Sequence, residues 1–128
     1  MQLHITTNDG VPIYLQIVNQ IKYLVASGRL SAGDELPPIR ALAEQIVVNP
    51  NTVARAYREL ELGGMLETHQ GTGTFVAKKK PEKNNAERER QLTQMAGEFA
   101  ARAGAAGFTV EDLLERLREM VPDRGQRR

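Results

Sequence analysis

The chain has 128 residues, 41% of them hydrophobic, which suits one ordinary domain or a small domain with an appendage. Cysteine and tryptophan are absent and aromatics make up only 5%, which excludes disulfides, thiolate nucleophiles and zinc–thiolate sites and leaves little stacking surface for bases, flavins or sugars. The net charge of +1 hides an asymmetry: residues 1–77 hold 5 Lys and Arg against 7 Asp and Glu, residues 78–128 hold 12 against 9. Any contact with a polyanion must therefore depend on where a few basic groups sit.

In chain order, Ile13, Ile17, Val18, Ile21, Leu24 and Val25 form a 3.6-residue stripe that predicts a helix over about residues 12–27, with Pro12 in its first turn and Gly28 as its stop. The turn-rich "RLSAGDELPP" follows, with a very short strand expected near Glu35–Leu36. Ile39, Leu42, Ala43 and Ile46 predict a second, shorter helix. A third begins at "NPN", where Asn49 suits the N-cap and Pro50 the first helical position; its buried stripe would be Val53, Ala56, Tyr57 and Leu60, ending at Gly63-Gly64. In "MLETHQGTGTFVA" the period falls to two, which predicts a hairpin with its tip near Gln70–Gly73.

"KKKPEKNN" at 78–85 has the composition of a basic linker. Two amphipathic helices should follow within residues 86–121. Leu92, Met95, Ala96, Phe99 and Ala103 line the first; Val110, Leu113, Leu114, Leu117 and Val121 line the second, with Thr109 as its N-cap. Residues 122–128 are expected to be a disordered tail.

Helix, short helix, turn, helix and hairpin over residues 1–77 is the order of a winged helix-turn-helix, so the expected class is mainly α with a small β wing. Such a domain lays its third helix in the major groove of DNA. With the apolar stripe inward, that helix would offer Asn51, Thr52 and Arg55 near its start: an amide suited to adenine, a hydroxyl and methyl suited to thymine, and a guanidinium for guanine or phosphate. Asn49 joins the expected DNA-binding set at the helix N-terminus, which would attract a phosphate through free N–H groups and the dipole. Glu59, Glu61 and Glu67 fall toward the other end. Arg58 either joins this surface or pairs with a nearby glutamate. Arg40 opens the second helix, where it would meet a phosphate or guanine. In the wing, His69 could touch phosphate, and Gln70, Gly71 and Thr72 form the tip, Gly71 allowing close approach. Lys78, Lys79 and Lys80 would add nonspecific phosphate attraction.

Residues 11–77 resemble the DNA-binding domain of the GntR family of bacterial transcription regulators, through "SGRLSAGDELP", "LAEQ", "NTVARAYRELE" and "GTGTFV" in order and spacing. "VNPNTVARAY" followed by a short two-helix tail is similar to the YtrA-type subfamily. The resemblance implies DNA contact by Arg40 and by the wing tip at Gln70 and Gly71. It also exposes a departure: Pro50 and Ala54 stand where the family commonly has base-reading arginines. Reading should then shift to Asn51, Thr52 and Arg55. The resemblance further implies a repressor, and targets such as an adjacent ABC-transporter operon.

A helix pair as short as residues 86–121 cannot bury two apolar stripes by itself, so a second copy is expected to cover Leu92, Met95, Phe99, Val110, Leu113, Leu114, Leu117 and Val121. The resulting homodimer would match an inverted-repeat, double-stranded operator; the YtrA-type resemblance implies the same. So small a tail leaves little room for a pocket, which would confine any small-molecule effector to the dimer interface or the linker.

Other functions find less support. "QGTG" lacks the Gly-Lys-Ser/Thr sequel of a phosphate-binding loop, and its glycines suit a tight turn. His4 and His69 are the only histidines, no set of side chains has metal-ligand spacing, and no nucleophile–base pair is visible, so neither cofactor, metal nor enzyme activity is expected. A winged-helix module that binds protein should offer an apolar or aromatic anchor on the exposed N-terminal face of its third helix, not Asn51, Thr52 and Arg55. Structured RNA would call for more exposed aromatics. No apolar run is long enough to span a membrane and "MQLHITTNDG" lacks signal-peptide blocks, so a cytoplasmic location is expected.

Overall fold

The computed structural model describes residues 1–78 and 84–122. The expected linker residues 79–83, including Lys79 and Lys80, and the tail from residue 123 lie outside the described residues. Two compact units divide the chain, Met1–Lys78 and Lys79–Arg128.

In the first unit, α1 (Ile13–Ala26), α2 (Ile39–Ile46) and α3 (Pro50–Leu62) precede an antiparallel hairpin of β1 (Leu66–His69) and β2 (Gly73–Val76). The apolar stripes meet in one core. Ile17, Val18 and Ile21 come from α1, Leu42 and Ala43 from α2, and Val53, Ala56, Tyr57 and Leu60 from α3, closed by Leu3, Leu36, Leu66 and Val76. Tyr57 is buried without an unpaired polar atom, because its hydroxyl donates to the Pro37 carbonyl at 2.6 Å. Burial pushes that phenol's pKa far above its ordinary range, so it stays a neutral donor. This bond ties α3 to the chain entering α2.

Helix ends follow their residue types, with one shift. Asn49 caps α3 and Pro50 takes its first position. Pro12 is the N-cap of α1, one residue outside the helix rather than in its first turn. Gly28, at φ 85°, continues the chain past the Ser27 C-cap in a conformation open to glycine. The strand expected near Glu35–Leu36 is present as a short addition to the wing. Glu35 bridges Phe75, the Gly33 N–H donates to the Val76 carbonyl, and the Leu36 N–H donates to the Thr74 carbonyl. The wing is thereby fastened to the segment before α2.

The segment before α1 carries no periodic signal, yet it is ordered by two glutamines one turn apart. The Gln20 carboxamide accepts from the His4 N–H and donates to the His4 carbonyl; the Gln16 carboxamide does the same with Thr6. The pair reproduces a two-rung ladder and seats Leu3 in the core.

The turn between α2 and α3 contains the one non-glycine residue with positive φ among the described residues, Val47 at φ 57°, ψ 57°. A β-branched side chain there crowds the backbone, and Val47 is 87% exposed, so little packing offsets the strain. Val47→Gly is expected to stabilise the unit by about 1 kcal/mol, after the greater unfolded-state freedom of glycine is allowed for. Thermal unfolding checks this; a lowered melting temperature would contradict it.

In the second unit, α4 (Asn85–Ala105) is capped by Asn84, whose side chain accepts from the Glu87 N–H. α5 (Val110–Met120) starts with a reciprocal box: Thr109 Oγ1 accepts from the Asp112 N–H while Asp112 Oδ2 accepts from the Thr109 N–H. These bonds, that from the Thr109 backbone foremost, hold the Asp112 carboxyl below the ordinary aspartate range. No residue of α4 or α5 is buried. Leu92, Met95, Phe99, Val110, Leu114, Leu117 and Val121 are exposed; Leu113 is half-buried. Among the described residues no helix is long and apolar enough to cross a membrane.

Candidate nucleic-acid interface

With Val53, Ala56, Tyr57 and Leu60 inward, the opposite side of α3 carries Asn51, Arg55, Arg58 and Leu62 at i, i+4, i+7 and i+11. All four are exposed. The Asn51 carboxamide has no hydrogen-bond partner among the described residues, so its donor and acceptor are both available. Arg58 pairs with no glutamate among the described residues, which favours the surface reading over the ion pair. Thr52 is half-buried at the edge of this stripe.

At the start of α3 the first-turn N–H groups have partners in their own chain. Asn49 Oδ1 accepts from the Asn51 N–H at 2.8 Å, the Asn49 carbonyl accepts from Thr52 and Val53, and Pro50 has no N–H. The first-turn donors are occupied, leaving the dipole and the Asn49 amide nitrogen. Asn49 is thus mainly a cap.

Arg55 makes a contact that its sequence neighbours do not announce. Its guanidinium carbon lies 3.8 Å from the centroid of the Tyr14 ring on α1, so its head leans back onto the fold. Arg40 stands exposed at the second position of α2. In the wing, His69 ends β1 with its ring 5.4 Å from that of Phe75. Gln70, Gly71 and Thr72 form the exposed turn, closed by the Thr72 N–H donating to the His69 carbonyl, and Gly71 has φ 80°. Gly73 has φ 143°, a backbone conformation that favours glycine. Glu67 accepts from the Lys78 N–H at the base of the wing.

Sequence reasoning named residues on α2, α3 and the wing, and the structure places them in one unit. It missed Tyr14. No local pattern announces it, because its partner Arg55 lies about forty positions away. Among the described residues no group of three or more His, Asp or Glu could hold a metal.

The family model for bacterial regulatory proteins of the gntR family matches residues 13–76, from the start of α1 to the end of β2. The chain belongs to the GntR family. The YtrA transcriptional repressor of Bacillus subtilis is 35% identical over 94% of this chain and 93% of its own length, so the similarity to YtrA includes the two-helix tail. A transcriptional antiterminator from Listeria monocytogenes, solved by crystallography, matches with a TM-score of 0.69 at 31% identity, over 96% of this chain and 95% of that one. The DNA-binding domain of AraR, solved in complex with operator ORX1, matches with a TM-score of 0.54 at 27% identity, over 60% of this chain and 99% of that one. The protein is therefore a transcriptional regulator with the winged helix-turn-helix of its family, and these relatives are regulators, not enzymes.

Proposed function

We propose that this GntR-family regulator binds an inverted-repeat operator in double-stranded DNA as a homodimer in the cytoplasm and represses the genes it controls, an ABC-transporter operon among the candidates. The observation that carries the reading is the outward stripe of α3, where Asn51 and Arg58 have no partner in their own chain among the described residues. A protein-binding module would place an apolar anchor at the start of that stripe, where Asn51 stands. Base reading falls to Asn51 and Thr52; Arg40, Arg58, His69 and the wing tip at Gln70, Gly71 and Thr72 serve backbone and groove edge. Dimerisation falls to the apolar faces of α4 and α5.

An effector, where one is used, has more space than the short tail suggests. An open groove of about 500 Å³ is lined by Ala103, Phe108 and Leu113 with Asp112, Glu115, Arg116 and Glu119 around them. It includes Leu113 of the proposed dimer face, and an occupant would act by changing the spacing of the two recognition helices.

The reading is tested by enriching bound sequences from a random duplex pool with the purified chain. An inverted repeat should emerge, and Asn51→Ala should cost about 1–3 kcal/mol on it and little on scrambled DNA. Equal losses on both would make Asn51 a phosphate contact, and a pool that never converges would contradict operator recognition.

A further inference from the structure

Three arginine–aromatic pairs occur among the described residues, and they are not equivalent. Arg29 lies 5.9 Å from the Tyr23 ring centroid and Arg102 lies 5.9 Å from that of Phe99, at the limit of a favourable contact. Arg55 lies 3.8 Å from Tyr14, in direct contact with the ring face. Tyr14 is the second residue of α1, half-buried, on a helix whose neighbouring residues Ile17, Val18 and Ile21 are locked in the core. Its ring packs against the core. Arg55 is exposed, and no carboxylate pairs with it among the described residues. A ring covers one face of a guanidinium and uses none of its five N–H donors, which stay in the plane for an incoming ligand.

The contact changes what Arg55 can reach. Asn51 and Arg58 leave α3 on the side away from the core; the head of Arg55 is drawn from that stripe toward α1. A guanidinium held at the edge of a recognition helix suits the phosphates flanking the groove better than base edges at its floor.

We propose that Tyr14 is a positioning residue for DNA binding, which holds the Arg55 guanidinium against its ring at the α1 edge of the recognition helix so that it meets a backbone phosphate. The pair then sets the register of the helix on the duplex, and sequence is left to Asn51 and Thr52. This assignment rests on the DNA-binding reading above.

The test uses the full chain, titrated against the enriched duplex and a random-sequence duplex over a series of salt concentrations. Arg55→Gln should lower the slope of log affinity against log salt by about 0.9 per chain on both duplexes, without altering base preference. Tyr14→Leu should weaken binding about five- to tenfold on both, Tyr14→Phe should restore wild-type affinity, and Tyr14→Leu should add nothing in the Arg55→Gln background. In the free protein, ring shielding should shift the Arg55 Nε–H resonance upfield, and Tyr14→Leu should abolish the shift. Tyr14→Leu binding like wild type, or weakening binding equally with and without Arg55, would overturn the positioning role while leaving DNA binding intact. An Arg55→Gln variant that changes base preference at an unchanged salt slope would overturn the phosphate assignment. Wild-type protein that binds neither duplex would overturn the DNA-binding reading and this proposal with it.

Discussion

Leu117→Asp is expected to produce a monomer whose first unit remains folded and whose operator affinity falls by about a hundredfold or more. Leu117 lies on α5 about half exposed, on the same helix as the exposed Val110 and Leu114, and no residue of α4 or α5 is buried. The proposed dimer would cover this apolar surface of α4 and α5. A second copy can bury it, and a carboxylate placed in the resulting interface would lose its hydration with no cation to compensate. Leu117 is preferred over Leu113 for this test. Leu113 is half-buried against its own unit, beside Ala103 and Phe108, so a charge there would also damage α4–α5 packing. Loss of the dimer should leave each recognition helix able to bind nonspecific DNA while forfeiting the gain of binding two half-sites together. Light scattering gives the mass and a duplex titration the affinity. An undisturbed dimer, or a monomer with full operator affinity, would contradict the assignment of the tail.

Leu42→Ala should destabilise the first unit by about 2–5 kcal/mol, the cost of lost burial plus the cavity left behind. Leu42 has no exposed surface and is one of only two buried residues that α2 contributes to the core, the other being the smaller Ala43. α2 has eight residues, too few to hold itself together without that anchor. In a unit of this size each kilocalorie corresponds to about 4–8 °C in melting temperature, so the loss should be evident in a thermal scan. DNA binding should fail on warming before that of wild type, since α2 and α3 must keep their mutual angle to dock. A melting temperature within a degree or two of wild type would mean that α2 is held by something other than this side chain.

The parts of this fold that sequence discloses are those governed by near neighbours. The 3.6-residue stripes of α1, α2 and α3 and the caps at Asn49 and Thr109 depend on spacings of a turn or two, and each lies where its pattern places it. The fastening of residues 1–6 does not, because Gln16 and Gln20 act on backbone groups ten and sixteen residues away and glutamines on a helix usually face water. The pairing of residues 33–36 with β2 likewise depends on a partner some forty residues on. Val47 could be flagged only as a residue in a turn; its left-handed backbone follows from the two helices it joins.

The candidate interface divides in the same way. Asn51, Thr52 and Arg58 can be read from the side of α3 opposite its apolar stripe. The Tyr14 ring beside Arg55 is a tertiary fact, whereas the partners of the first-turn N–H groups follow locally from the Asn49 cap.

The most direct test of operator binding by a dimer is a titration of the purified chain against its enriched inverted repeat and a scrambled duplex, at two salt concentrations, with stoichiometry. The expected result is a specificity ratio of roughly a thousandfold or more, with two chains on each duplex. Equal affinities for both duplexes, lost together as salt rises, would contradict it.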